Sequence, residues 1–346
     1  MNEIVSLTRA LADIESITGN EIAVANFLFD HLATLTTRTG GLVERRPVES
    51  GRFNVLATWG HPVVTMSTHM DTVPPFIPSR EDDEYVWGRG ACDAKGIIAA
   101  MTGAAGELLR EGVRNFGLLF VVGEERNSAG AKAAASEPRG SRYLINGEPT
   151  ENKLALGSKG ALRFEITARG KMAHSAYPDL GESAIERLLD VLEGLRRTPL
   201  PEDPLLGKST MNIGTIRGGR APNVIADEAE AEIMVRLVGD PSPVRDAYAA
   251  AVRGKAELRE VLCTPAMRFE RVEGLATTVV SYTSDAPTLS RSWGKPLLIG
   301  PGSIHVAHTE EERISKKELA AAVGIYAGLV RTLQAMEASR PEARTA

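Results

Sequence analysis

Hydrophobic and polar positions divide this chain into stretches of different rhythm. Near the start, Ile4, Leu7, Leu11 and Ile14 recur at helical spacing and predict an amphipathic first helix. The stretch FLFDHLATL repeats that pattern and carries His31 on a helix. Residues 53–59 and 62–68 then read as neighbouring strands about a turn at Gly60. A proline-rich loop spans 73–80, and 95–111, rich in Ala, Met and Leu, reads as a helix. Residues 116–122 form a short continuous apolar run, as in a strand buried on both faces. A helix around 129–135 and a strand at 142–146 follow. This alternation predicts an α/β fold, a mixed open sheet flanked by helices, with its site at the carboxyl ends of the strands.

The rhythm changes near Gly157. Leu162, Phe164 and Ile166 alternate within 161–169, as in a half-exposed strand. A helix at 182–196, strands near 210–216 and 229–237, a helix near 242–252 and a further strand near 258–264 complete a βαββαβ order. It predicts an inserted α+β domain over 159–266, set into a larger domain formed by 1–158 and 267–346. The chain closes with a helix at 316–336, capped by Ser315, and a polar, frayed tail at 337–346.

Composition narrows the classes. The 346 residues suit two domains, and the hydrophobic and charged shares, 43% and 25%, are those of a soluble globular protein. A net charge of −5 gives no basic face for nucleic acid. The first residues lack a basic leader followed by an apolar core, and no apolar run is read as long enough for a bilayer. Cys92 and Cys263 are far apart and make no disulfide framework, so a reducing cytoplasm is the expected compartment. Cys92 has no base at nucleophile spacing and reads as a small buried residue.

The chemistry concentrates at predicted strand ends. His31 and His61 read as structural or solvent-facing. His69 and Asp71 are two apart in VVTMSTHMDT, so in extended chain they share a side, and the carboxylate can fix the imidazole tautomer. Taken alone, this is equally a strand-end histidine beside a chance aspartate. Asp93, in GRGACDAKG before a helix, reads by itself at least as readily as an N-cap. Glu124 and Glu125 follow the apolar strand, where adjacent carboxylates resist desolvation unless a cation or proton compensates. Glu148 stands in NGEPT after the next strand, and His305 and His308 follow a Gly-Pro-Gly loop. Jointly these offer hard and borderline ligands suited to zinc, or to cobalt or manganese in its place.

In order, THMDT, GRGACDAKG, GEE, GEPT, KMAHSAYP and VAHTEEE resemble the co-catalytic zinc aminoacylase and carboxypeptidase family, over nearly the whole chain. The family includes acetylornithine deacetylases, succinyl-diaminopimelate desuccinylases and dipeptidases. The resemblance implies two divalent metal ions bridged by Asp93, one completed by His69 and Glu148, the other by Glu125 and His308. It makes Glu124 the general base and acid, has Asp71 orient His69, and implies a cis peptide after Asp93. It further implies a homodimer through the inserted domain, with His174 stabilising an oxyanion across the interface. Asn223, Arg236 and the Gly302 N–H would meet substrate oxygens. The expected reaction is hydrolysis of an amide in a small N-acyl amino acid, as in a deacylase. The alternatives are a dipeptidase or carboxypeptidase of the same family and an inactive binding homologue.

Overall fold

The computed structural model describes residues 2–49 and 51–339. The chain divides into two compact units. One comprises Met1–Leu156, Phe269–Thr278 and Ser284–Ala346, and the other Gly157–Arg268 and Val279–Thr283.

The first unit is built on a six-stranded sheet in the order Leu42–Glu49, Arg52–Trp59, Phe116–Val121, Val64–His69, Tyr143–Asn146, Lys295–Leu298. The first two pairings in this order are antiparallel, and from Phe116–Val121 onward the pairings are parallel. This is the mixed sheet that the sequence predicts. Its strands are apolar on both sides because helices cover both faces. Phe116, Leu118 and Phe120 face the core shared with the helices Lys95–Arg110 and Lys316–Ala338. Leu119 and Val121 point the other way, against Ala131, Ala134, Leu289 and Trp293 of the helices Ala129–Ser136 and Ala286–Trp293.

The strands on either side of Gly60 are not neighbours, contrary to expectation. Phe116–Val121 lies between them. All six of its residues are buried, and a strand with no solvated face takes the middle of the sheet. Asn115 bridges the gap: its N–H donates to Trp59 O at 2.5 Å, and its carbonyl accepts from the Val63 N–H at 2.7 Å.

The closing helix starts where Ser315 accepts the Glu318 N–H. By length and composition it qualifies as a membrane span, which the sequence reading denied to every segment. In the fold it is a core helix, with Leu319, Ala322, Tyr326, Ala327, Leu329, Val330 and Leu333 buried. It takes in Glu337 and Ala338, and the expected tail from residue 340 lies outside the described residues.

The second unit has an antiparallel sheet in the order Thr210–Gly218, Glu228–Leu237, Gly160–Arg169, Glu257–Thr264. Leu162, Phe164, Ile166, Ile233 and Val235 pack against Leu188 and Leu192 of the helix Ala184–Arg197 and Tyr248 of Ser242–Val252.

Because Leu118 is fully buried in the central strand, Leu118→Ala should cost about 2–5 kcal/mol. Denaturant unfolding of the metal-free protein measures this, and a change within a few tenths would contradict the packing described.

Candidate metal centre and active site

Four parallel strands deliver their carboxyl ends to one edge of the first unit's sheet. His69 ends Val64–His69, and Glu124 and Glu125 lie just past Phe116–Val121. Glu148 lies just past Tyr143–Asn146, and His308 sits in the loop after Lys295–Leu298. Asp93 enters from the loop before the helix Lys95–Arg110. Ligand atoms of His69, Asp93 and Glu148 lie within 4.8 Å of one another, as do those of His69, Glu124 and Glu125, and those of Asp93, Glu125 and His308.

Asp93 is not an N-cap: Ala94 holds that position, and the Asp93–Ala94 peptide is cis. The Asp93 carboxylate lies between two imidazoles instead. His69 Nε2 is 2.9 Å from Oδ1, and His308 Nε2 is 3.5 Å from Oδ2. His308 Nε2 also stands 2.9 Å from Glu125 Oε1. His308 has φ 63°, a left-handed conformation costing about 1–2 kcal/mol for a non-glycine residue. His305 is exposed and belongs to none of the three groups.

Asp71 does more than the sequence suggests. The His69 Nδ1 lies 3.0 Å from the Asp71 main-chain oxygen and 3.5 Å from its Oδ1, so the nearer partner of the ring is the carbonyl. The buried Asp71 carboxylate accepts the Glu124 N–H at 3.1 Å, the Glu125 N–H at 3.2 Å and the Thr18 hydroxyl at 2.7 Å. It therefore fixes the turn that aims both glutamates.

The electrostatics follow from crowding. Burial, with Glu148, Asp285 and Glu125 nearby, pushes the Glu124 carboxyl well above its usual range, against the opposing effect of His69. Burial, Asp93, Asp285 and Glu125 do the same to Glu148. Burial works against ionised Asp93, yet hydrogen bonds from His308 and His69 hold it far below the usual carboxylate range. The His69 imidazole, disfavoured as a cation by burial, is nonetheless raised well above its ordinary value by Asp71 and Asp93. Glu148 Oε1 is buried with no hydrogen-bond partner. A buried carboxylate oxygen without a donor, amid like charges and two proton-holding histidines, is what a cation-binding cluster presents. The residues fit divalent ions.

Several site residues escaped the sequence reading. Glu312 and Arg89 are both buried and paired, and Glu312 holds the backbone around Asp93. Their signal was a second charge within each motif, GRGACD and HTEEE. Asp285, buried at the head of the helix Ala286–Trp293, is pushed up to about 6 by burial. The Gly302 N–H donates to Glu318 Oε2 at 2.7 Å. Close packing accounts for the glycine: with φ 85°, a Cβ there would lie 2.5 Å from Cys92 Sγ.

In the second unit, His174 is exposed and its Nδ1 accepts the Ala176 N–H at 3.1 Å, which places the ring proton of the neutral form on Nε2. A bridge between His174 and Val224 sets Asn223 beside it, with the Ser175 N–H donating to Asn223 O at 3.0 Å. Arg236, half-buried on Glu228–Leu237, has no carboxylate partner among the described residues, and burial lowers its pKa.

A sequence profile of peptidase family M20/M25/M40 matches residues 65–332. A protein of Aspergillus terreus named "probable carboxypeptidase" is 37% identical, over 94% of this chain and 85% of its own. A tripeptidase of Staphylococcus aureus superposes with TM-score 0.81 at 22% identity, over 96% of this chain and 98% of that one. A Bacillus subtilis protein described as a dinuclear metal-binding peptidase of the M20 family superposes with TM-score 0.69 at 17% identity, over 96% and 98%.

Hydrogen bonds to Asp93 and Glu125 raise the His308 pKa from 6.5 to about 10. The stability this pairing contributes is complete below the unfolded value and is lost as pH rises through the folded one. A cation entering the group must displace the proton, so its apparent affinity should rise across that window. In chelator-treated protein, the His308 ring followed by NMR should remain protonated at about pH 8; release near 6.5 would refute the pairing.

Proposed function

The chain belongs to peptidase family M20/M25/M40 and is a metallohydrolase acting on amide or peptide bonds, and from that premise we propose a two-cation exopeptidase that releases the carboxyl-terminal residue of a short peptide. One observation carries this reading: Asp93 belongs to two ligand groups at once, with Glu124 beside them. His69 and Glu148 would complete one cation site, and Glu125 and His308 the other. Zinc suits this donor set, with cobalt or manganese able to substitute.

Bound there, cations would supply charge that acidifies water and polarises the scissile carbonyl. Glu124 then takes the proton of the attacking water and delivers it to the leaving amine. Its placement follows from the turn that Asp71 fixes by accepting the Glu124 N–H. The His174 Nε2–H donates to the carbonyl oxygen as negative charge develops. Arg236 and Asn223 would bind substrate oxygens, Arg236 because its guanidinium meets no carboxylate among the described residues. An N-acyl amino-acid deacylase, the first expectation from the sequence, uses the same chemistry and differs only in the group on the acyl side.

We also propose a homodimer through the second unit. It exposes Met172, Tyr177, Leu180, Leu189 and Ile216 by 50–65% each, and the strand Thr210–Gly218, which carries Ile216, lies at the edge of its sheet. Such exposed apolar groups and an open edge are commonly covered by a partner.

Glu124→Ala should bind as many ions as the parent, by elemental analysis, while kcat falls about 100- to 10,000-fold. An active variant sinks the assignment. A panel of N-acetyl and N-succinyl amino acids, dipeptides and longer peptides, with products identified by mass, separates the substrate classes. Preference for N-acyl amino acids would overturn the carboxypeptidase reading. Mixing inactive His174→Ala and Glu124→Ala proteins should restore activity if His174 acts across the dimer, and no recovery after verified subunit exchange would exclude that.

A further inference from the structure

Glu312 and Arg89 are almost fully enclosed, at 1% and 2% exposure, and pair with each other. One Glu312 oxygen accepts three main-chain N–H groups of the Asp93 loop: Gly90 at 2.9 Å, Asp93 at 3.1 Å and Cys92 at 3.3 Å. The other oxygen meets Arg89 Nη1, which also donates to Thr309 O at 3.2 Å, immediately after His308. Arg89 Nε reaches Pro75 O at 3.3 Å, and the Gly88 N–H donates to Glu312 O at 3.0 Å. The segment carrying Asp93 and the segment carrying His308, far apart in sequence, thus meet through one ion pair.

We infer that Glu312 and Arg89 are positioning residues that set the spacing between Asp93 and His308, and so the affinity of the cation held by Asp93, Glu125 and His308. This rests on the two-cation reading above. The physical argument is one of degrees of freedom. His69 ends a paired strand and Glu148 follows one by two residues, whereas Asp93 and His308 both sit in irregular loops far from any strand pairing of their own. His308 in addition holds a left-handed backbone conformation that only a fixed surrounding sustains. The carboxylate collects N–H groups from one loop, and the guanidinium spans to a carbonyl of the other. Charge-assisted hydrogen bonds of this kind are shorter and roughly twice as strong as neutral ones. Neither side chain belongs to a metal-ligating group.

The test uses the full chain and cobalt as probe. Removing one member of a buried pair leaves an isolated charge, so the first variant, Arg89→Met/Glu312→Gln, removes both charges while keeping an acceptor for the loop. The second, Glu312→Asp, keeps the pair's charge but withdraws the carboxylate by one methylene. Thermal melts establish which variants fold. Cobalt titration by calorimetry and visible absorption, on protein stripped by chelator, then resolves the two binding steps. In any folded variant one step should weaken about 10- to 100-fold, as expected when a group supporting a metal ligand is lost. The other step and its absorption band should change far less. Unchanged affinity for both ions, or equal weakening of both, overturns the assignment, since a merely structural role would not single out one ion. A parent protein that itself binds fewer than two ions refutes the two-cation reading instead. The clasp is then judged by amide exchange at Gly90, Cys92 and Asp93, which must quicken in Glu312→Asp.

Discussion

Asp71, Asp93, Glu124, Glu125 and Glu148 bring their carboxylates to one edge of a parallel sheet, and the repulsion between them is the constraint on which the site's features depend. Acidic groups removed from water and set beside one another do not all remain ionised without compensating charge. The histidines supply some of it, with His69 and His308 holding protons against Asp93 and Glu125. The remainder shows as raised Glu124 and Glu148 carboxyls and a buried Glu148 oxygen with no donor. Divalent ions would resolve both problems, and a fold holding such a cluster in place is one prepared for them.

Holding it in place is the work of the surrounding groups. Parallel strands aim side chains at a common edge, but loops make the final placement. Asp71 fixes the Glu124–Glu125 turn through two N–H groups, and Glu312 fixes the Asp93 loop through three. Each is a buried carboxylate used as an acceptor hub, which is a different task from ligation. In the second unit, the hydrogen bond from Ala176 fixes which ring nitrogen of His174 can donate.

Much of this was legible in the sequence because periodicity reports burial. The apolar run before Glu124 marked the central strand, and the change of rhythm near Gly157 marked the second unit. Order in the sheet was not legible. Nothing local to Gly60 says that a strand from residues 116–121 inserts beside it, because that choice is made by burial of the whole sheet. Asp93 illustrates the same limit: an aspartate before a helix looks like a cap until the chain brings His69 and His308 to it. Glu312 carried only the hint of an extra charge in its motif, since the partners that define its role lie more than two hundred residues earlier in the chain. For Gly302 the motif pointed to a substrate contact, and close packing against Cys92 calls for a glycine there as well. Two backbone needs can select the same residue, and sequence does not separate them.

The central claim is that this cluster is a two-cation centre built around a shared Asp93. Anomalous diffraction at the zinc edge, from crystals of the intact chain grown with zinc, tests it directly. The account predicts two peaks, one among His69, Asp93 and Glu148 and the other among Asp93, Glu125 and His308, with Asp93 touching both. A single peak, or two peaks of which only one contacts Asp93, would contradict it.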